Sequence, residues 1–305
     1  MRTHALWLLL SAALLMNGCG AKQSNASEEA IQSNAETNSD PSEKYPDRGA
    51  RNRQAQPLTR LEVLTALANA PTRAEENRAR NAARHPAETL DFFGIEPDMT
   101  VIEIGPGGGW YAEILRPYLL EDGRYIAALD APDGHRAHYR KGWEKLVESQ
   151  PELFADAETT VFSPPQYQLA EDDSIDMIVT FRHVHGWIND NTYASIFPEL
   201  FRVLKPGGVL GVVTHRAHEG ADFKESAKAG YVPQEWVIAQ AEKAGFVLDE
   251  ASEINANPKD TKDHPNGVWS LPPTLKNETD EQRKSSAEIG ESDRMTLRFV
   301  KPDTH

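Results

Sequence analysis

Two short segments of this chain concentrate residue types that do chemistry. The first is Val101-Ile-Glu-Ile-Gly-Pro-Gly-Gly-Gly-Trp110, where an apolar run carrying one acid, Glu103, ends in glycines at 105, 107 and 109. Glycine adopts backbone angles that other residues avoid and has no Cβ, so such a turn lets bare main chain lie against a ligand. The second is Phe181-Arg-His-Val-His-Gly-Trp187. His183 and His185 are candidates for a general base near neutral pH, Arg182 for fixing an acidic group of a substrate, and Trp187 for packing on an apolar or cationic portion. The same histidines would serve equally to hold a loop by hydrogen bonds. His215 is a weaker candidate. With neither a His-Glu-x-x-His pattern nor nearby cysteines, His183, His185, His215 and His218 are not read as a metal site.

Both segments need rigid elements to bring them together. Thr100 to Ile104 reads as a buried strand ending at the glycines, and Tyr111 to Leu120 as the helix that follows. Further strands are expected over Arg124 to Leu129, Ser174 to Thr180 and Val209 to Val213, with Phe246 to Asp249 and Met295 to Val300 closing the sheet. Helices are expected over Tyr193 to Val203, before the turn Lys205-Pro-Gly-Gly208, and over Pro233 to Ala244, closed by Gly245. Upstream, Leu61, Val63, Leu64 and Leu67 suggest a short helix, and Thr72 with Glu75 three residues on is a candidate N-cap for a second, running to about Ala83. His85-Pro86 breaks it, and a further turn or two precedes Gly94. Alternation of this kind predicts an α/β fold, a mostly parallel sheet with helices on both faces. In such sheets ligands lie beyond the carboxyl ends of the strands, where strand order reverses.

Two cofactor classes use a strand–glycine turn–helix unit, and spacing separates them. The dinucleotide fingerprint G-x-G-x-x-G needs a small residue at position 110, where Trp110 would obstruct helix–strand packing. No Gly-Lys-Ser/Thr follows, which excludes a nucleotide triphosphate loop. An acidic-x-Gly-x-Gly-x-Gly pattern is met by Glu103, Gly105, Gly107 and Gly109. Asp130, at the end of the next strand, can accept hydrogen bonds from ribose hydroxyls, a role shared by both cofactor classes. Joined to the three-glycine turn it favours one of them. The chain strongly resembles the class I S-adenosylmethionine-dependent methyltransferases, and the turn Leu204-Lys-Pro-Gly-Gly-Val-Leu210 matches the segment before strand five in many of them. Arg84-His-Pro86, Gly105-Pro-Gly-Gly-Gly-Trp-Tyr111 and the Phe181–Trp187 segment are similar to a group of exported methyltransferases. The resemblance implies a Rossmann-like, doubly wound seven-stranded sheet, mostly parallel with only the last strand antiparallel. It implies that the glycine turn and Glu103 hold the methionine part of S-adenosyl-L-methionine, and Asp130 the ribose. Many relatives carry an acid after strand three that contacts the adenine. Here the region reads Thr160-Val-Phe-Ser-Pro-Pro-Gln166, leaving Ser163 or a backbone group for that role.

Composition limits the substrate. With 47 acidic against 32 basic side chains the formal charge is −15, which repels phosphate backbones and anionic headgroups and makes nucleic acid an unsuitable acceptor. The loop after strand four also lacks the Asn/Asp-Pro-Pro-Tyr/Phe signature of nucleobase amino methylation. A small-molecule acceptor is expected, although a protein side chain stays open. The N-terminus, with Arg2, an apolar run from Ala5 to Met16, and Asn17-Gly18-Cys19-Gly20, reads as a signal peptide over 1–19 with a lipobox-like end. This predicts an exported protein, periplasmic or held at the membrane by a lipid on Cys19, the sole cysteine, so no disulfide or cysteine metal site is expected. Residues 20–60, rich in Ser, Asn, Ala, Glu and Gln, read as a disordered tether before a methyltransferase domain over 61–305. Within that domain the acid-rich stretch from about 250 to 293 reads as a long solvated loop, or alternatively as a lid. Export also raises a competing reading, a catalytically inactive ligand-binding lipoprotein on the same scaffold, since the cofactor is made in the cytoplasm. A nucleotide-dependent oxidoreductase is disfavoured by Trp110.

Overall fold

The structure is a computed structural model that describes residues 57–134 and 136–303. The expected leader, its Cys19 and the tether up to residue 56 lie outside the described residues.

Thr59 starts the first helix with a reciprocal cap, its hydroxyl accepting from Glu62 N–H while Glu62 accepts from Thr59 N–H at 2.7 Å. This sets α1 (Arg60–Ala68). The single helix expected from Thr72 is instead two short ones, α2 (Glu75–Arg78) and α3 (Asn81–Arg84). Ala74, not Thr72, stands at the first cap. Tertiary bonds override the local pattern: Arg73 donates to the carbonyls of Ala68 and Trp110, and Asn81 donates to Ala68. His85, at φ 40°, turns the chain into α4 (Pro86–Phe93), which Gly94 closes at φ 78°.

The sheet strands are β1 (Thr100–Ile104), β2 (Arg124–Leu129), β3 (Glu158–Ser163), β4 (Gln166–Gln168), β5 (Ile175–Phe181), β6 (Leu204–His215), β7 (Val247–Ser252) and β8 (Arg294–Val300). Their helices are α5 (Ala112–Tyr118), α6 (Ala137–Ser149), α7 (Pro151–Phe154), α8 (Val184–Asn189), α9 (Tyr193–Val203), α10 (Phe223–Lys228), α11 (Gln234–Lys243) and α12 (Asp280–Ile289). Spatial order is β4-β3-β2-β1-β5-β6-β8-β7. The last strand is antiparallel to β6, as expected. The sheet nevertheless has eight strands rather than seven, because the chain doubles back after β3 and lays β4 antiparallel on its edge.

Strand periodicity divides the core into two layers. Val101, Tyr125, Ala127, Met177 and Val179 face a layer containing Leu90, Phe93, Ile114, Leu115 and Trp143. Ile102, Ile104, Ile126, Ala128 and Ile178 face the other, with Trp187, Ile196, Phe197 and Leu200. Both faces of the central strands are therefore covered, which is why they read as continuous apolar runs.

The chain moves outward from β1 through β2 to β3, then returns to place β5 on the other side of β1. Strand order thus reverses between β1 and β5, and the glycine turn and the Arg182–Trp187 segment leave the sheet there. That second segment is not a loop throughout: Val184 to Asn189 forms α8. The stretch 250–293, expected as a solvated loop or a lid, is largely solvent-facing but anchored at a few buried points. Asp260, 4% exposed, accepts from the Tyr231 hydroxyl at 2.9 Å, the His264 ring at 2.8 Å and the Asp293 N–H at 2.8 Å. Asn255 is buried between Thr89 and Thr296, and a 3-10 turn (Gly267–Ser270) precedes α12.

Gly211, in the middle of β6, is the seat for Phe93 of α4: a Cβ there would stand 2.6 Å from the ring. Gly211→Val should destabilise the protein by about 1–3 kcal/mol through overpacking. Combining it with Phe93→Ala should give less than the sum of the two losses in a denaturant melt; full additivity would refute the contact.

Candidate active site

Glu103 occupies the same face of β1 as Val101, the register partner of Tyr125 on β2. The Tyr125 hydroxyl therefore reaches diagonally across and donates to Glu103 Oε2 at 2.7 Å. Glu103 is 3% exposed, and no ion pair ties it to a basic side chain among the described residues. Burial pushes its carboxyl up to about 8, with the tyrosine bond pulling weakly the other way.

Beyond Ile104 the chain turns on three glycines with positive φ, 60° at Gly105, 57° at Gly107 and 85° at Gly109. Each answers a different constraint. A Cβ on Gly105 would lie 2.6 Å from the His183 ring, and one on Gly109 would run into Leu146. A Cβ on Gly107 would meet nothing within 4 Å, because that glycine faces open space. Trp110, which the dinucleotide pattern would forbid, holds the upstream helices to the turn. Its indole donates to the Asn77 carbonyl at 3.2 Å, and the guanidiniums of Arg73 and Arg84 lie over its ring at 5.2 and 4.7 Å. Tyr111 stacks on Phe181 with centroids 3.5 Å apart, tying the glycine turn to the end of β5.

These elements enclose a cavity of about 440 Å³, within the range of small-molecule pockets. Asp130 and Ser163, after β2 and at the end of β3, line it, as do Arg182, His183 and His185 after β5 and His215 at the end of β6. The candidates from both sequence segments thus converge. His183 donates from Nε2 to the Gly105 carbonyl at 3.0 Å, since a carbonyl can only accept. Burial, and then the charge of Arg182, lowers its imidazole to about 4. His185 falls to about 3 through burial and the neighbouring His183 and Arg182. Its ring sits 5.9 Å from those of His215 and Trp269. Of the two roles expected for these histidines, general base or hydrogen-bonded brace of a loop, the Gly105 contact matches the second for His183. Arg182 holds φ 68°, its N–H donating to the Val213 carbonyl at 2.7 Å.

Sequence reasoning missed several lining residues. Arg80 and Arg84 come from α2–α3, and Trp269 from the acid-rich stretch. Arg136 pairs with Asp190 at 2.5 Å and donates to the Gly186 carbonyl at 3.0 Å, bridging the loops after β2 and β5. Arg84 had been singled out only as part of a tripeptide, and no spacing rule points to Arg136 or Trp269. Among the described residues no group of three His, Cys, Asp or Glu side chains is placed to hold a metal ion.

A family profile described as a methyltransferase domain matches residues 74–250, more than half of the chain. The chain belongs to this family. The methyltransferase also resembles solved structures at low identity. A candidate sarcosine dimethylglycine methyltransferase from Galdieria sulphuraria is 17% identical with a TM-score of 0.50, covering 75% of this chain and 88% of that one. A geranyl diphosphate C-methyltransferase from Streptomyces coelicolor A3(2), solved with S-adenosyl-L-homocysteine, is 14% identical with a TM-score of 0.50, covering 77% and 87%. The [4+2]-cyclase SpnF gives 14% and 0.50, covering 79% and 92%. At these identities the likeness is one of fold. No curated protein matches the sequence.

The methyltransferase takes S-adenosyl-L-methionine as its cofactor, and the site fits it on two counts. Gly107 leaves room where a side chain would stand, and the Glu103 carboxyl, buried without a basic partner, suits a cationic group. Gly107→Val should weaken S-adenosylmethionine binding by about tenfold or more, by filling that space and straining a positive φ. Calorimetry showing unchanged affinity in a folded variant would remove Gly107 from the site.

Proposed function

We propose that the protein transfers the methyl group of S-adenosylmethionine to a small-molecule acceptor. The observation that carries this reading is the cavity itself, which puts the glycine turn with its buried acid on the same space as the Arg182–His185 segment. The cofactor supplies an activated methyl group on a positively charged sulfur, displaced in line by the acceptor's nucleophile. The chain's residues bind, align and exclude water. Glu103 and the turn 105–109 hold the methionine part, Asp130 the ribose, and Phe162, Ser163 and Pro164 line the wall available to the adenine. His183 positions the turn through the Gly105 carbonyl. His185 and Arg182 face the acceptor side, where they are the side chains placed to contact the acceptor. The formal charge of −15 supports a small acceptor over a nucleic acid. The N-terminal pattern ending at Cys19 supports export, with a lipid anchor as the only membrane contact.

The second reading, an inactive ligand-binding lipoprotein, rests on the N-terminal export pattern, which would carry the protein away from the cytoplasm where the cofactor is made. Transfer of a labelled methyl group from S-adenosylmethionine into metabolites of a cell extract separates the two. Label in a small molecule supports the enzyme, and none with cofactor binding intact supports the binding protein. Replacing His183 with alanine should lower cofactor affinity and turnover together, because the turn loses its brace. A loss confined to turnover would restore a catalytic role.

Glu103 also sets a pH dependence. Its carboxyl is largely protonated in the free protein near pH 7 and ionises when a cation binds beside it, so binding releases a proton. S-adenosylmethionine affinity should therefore rise with pH between about 6 and 7.5, below the range where α-amino groups titrate, about 7.7–8.0. Glu103→Gln should abolish both that slope and the dependence of binding heat on buffer ionisation. A flat wild-type profile would exclude Glu103 as the partner of the cation.

A further inference from the structure

Four arginines gather at one wall of the cavity. Arg80 and Arg84 come from the segment between α2 and α4, Arg182 from the residue after β5, and Arg294 from the start of β8. Glu291 is the carboxylate they share. It accepts from Arg80 Nε at 2.7 Å, Arg84 Nε at 2.9 Å and Arg294 Nη1 at 3.2 Å. Asp293, next along, is taken by Arg216 at 3.0 Å and Lys262 at 2.9 Å. Arg84 is only 3% exposed. Among the described residues its Nη2, together with Arg80 Nη2, Arg182 Nε and Arg294 Nε, is buried without a hydrogen-bond partner. Buried guanidinium N–H groups left without an acceptor in this way are costly unless a ligand completes them. Arg80, Arg84 and Arg182 all line the cavity.

We propose that these arginines form the recognition site for an oxyanion, a carboxylate or phosphate, borne by the methyl acceptor. The inference rests on the methyltransferase reading and names the acceptor's chemical class. The cofactor's own carboxylate does not exhaust the cluster. Four guanidiniums less Glu291 and one such carboxylate still leave a surplus of positive charge. The ionisation pattern agrees. Burial opposes a charge on Glu291, yet Arg84, Arg80 and Arg294 hold it down to about 2. Burial followed by repulsion from Arg294 and Arg80 brings Arg182 down to about 10. Guanidinium forks match planar carboxylates and phosphates, so this side selects anions over amines.

The test titrates the full protein first with S-adenosylhomocysteine, then with inorganic phosphate, pyrophosphate and benzoate, with benzylamine and benzamide as cationic and neutral controls. At least one anion should bind the cofactor-loaded protein saturably, and the controls should not. The phosphate and benzoate arms distinguish the two oxyanion sources. Arg182→Gln should weaken that anion by about tenfold or more while leaving S-adenosylhomocysteine affinity within about twofold. Arg80→Gln, at the more exposed edge of the cluster, serves as second variant should Arg182→Gln fail to fold. Three results would overturn the proposal: no anion binding, equal binding by a folded variant, or anions that displace S-adenosylhomocysteine. The last would assign the arginines to the cofactor's carboxylate. Absence of S-adenosylhomocysteine binding in the first step would instead overturn the methyltransferase reading, independently of the anion arm.

Discussion

Everything in this molecule follows from the reversal of strand order between β1 and β5. Two adjacent parallel strands whose following segments leave in opposite directions cannot close the space above their carboxyl ends. The glycine turn after β1 and the Arg182–His185 segment after β5 border that opening, and β2, β3 and β6 deliver Asp130, Ser163 and His215 to the same edge. The antiparallel last strand adds a second consequence. Because β8 runs against β6, its first residue, Arg294, pairs with the last residue of β6, His215. The polar residues before β8, Glu291 and Ser292, therefore arrive at the cavity edge, where Ser292 bonds the His215 ring at 2.5 Å.

Charge in the cavity walls is unevenly distributed. Glu103 and Asp130 come from the ends of β1 and β2, whereas Arg80, Arg84 and Arg182 come from the upstream helices and the segment after β5, and Arg294 of β8 joins them through the shared Glu291. Tyr111, buried and stacked on Phe181, lies within electrostatic reach of both Glu103 and the arginines Arg84 and Arg294. A cationic cofactor group and an anionic acceptor group would each meet its opposite charge in the same cavity. Such preorganised charges need no rearrangement at the moment of transfer, and low-dielectric surroundings strengthen them.

The fold was readable wherever one local rule dominated. The apolar run before Gly105, the Tyr193–Val203 helix and the closing strand near Met295 each show their period plainly, and the structure has all three. The α2–α3 break was not readable, because it depends on Arg73 and Asn81 bonding to groups distant in sequence. The anchoring of the stretch 250–293 was hidden for a similar reason. Its polar composition suggests solvent, but Asn255 and Asp260 are buried and satisfied by Thr89, Thr296, Tyr231 and His264. At the site, Glu103 and the glycines were legible from spacing, since the turn is contiguous. The arginine cluster was not, as its members lie up to 214 positions apart and meet only through β8. The histidines were legible as cavity residues, but the downward pull on their imidazoles was not, because burial and Arg182 cause it.

The central claim is that the glycine turn in this crevice holds a sulfonium nucleoside against bare main chain. Calorimetric titration of the folded protein with S-adenosylmethionine and S-adenosylhomocysteine tests it most directly. The account predicts saturable heat with both ligands, mutually competitive, and none with NAD. Absence of heat with either nucleoside, or displacement of either by NAD, would contradict it and leave only the α/β scaffold standing.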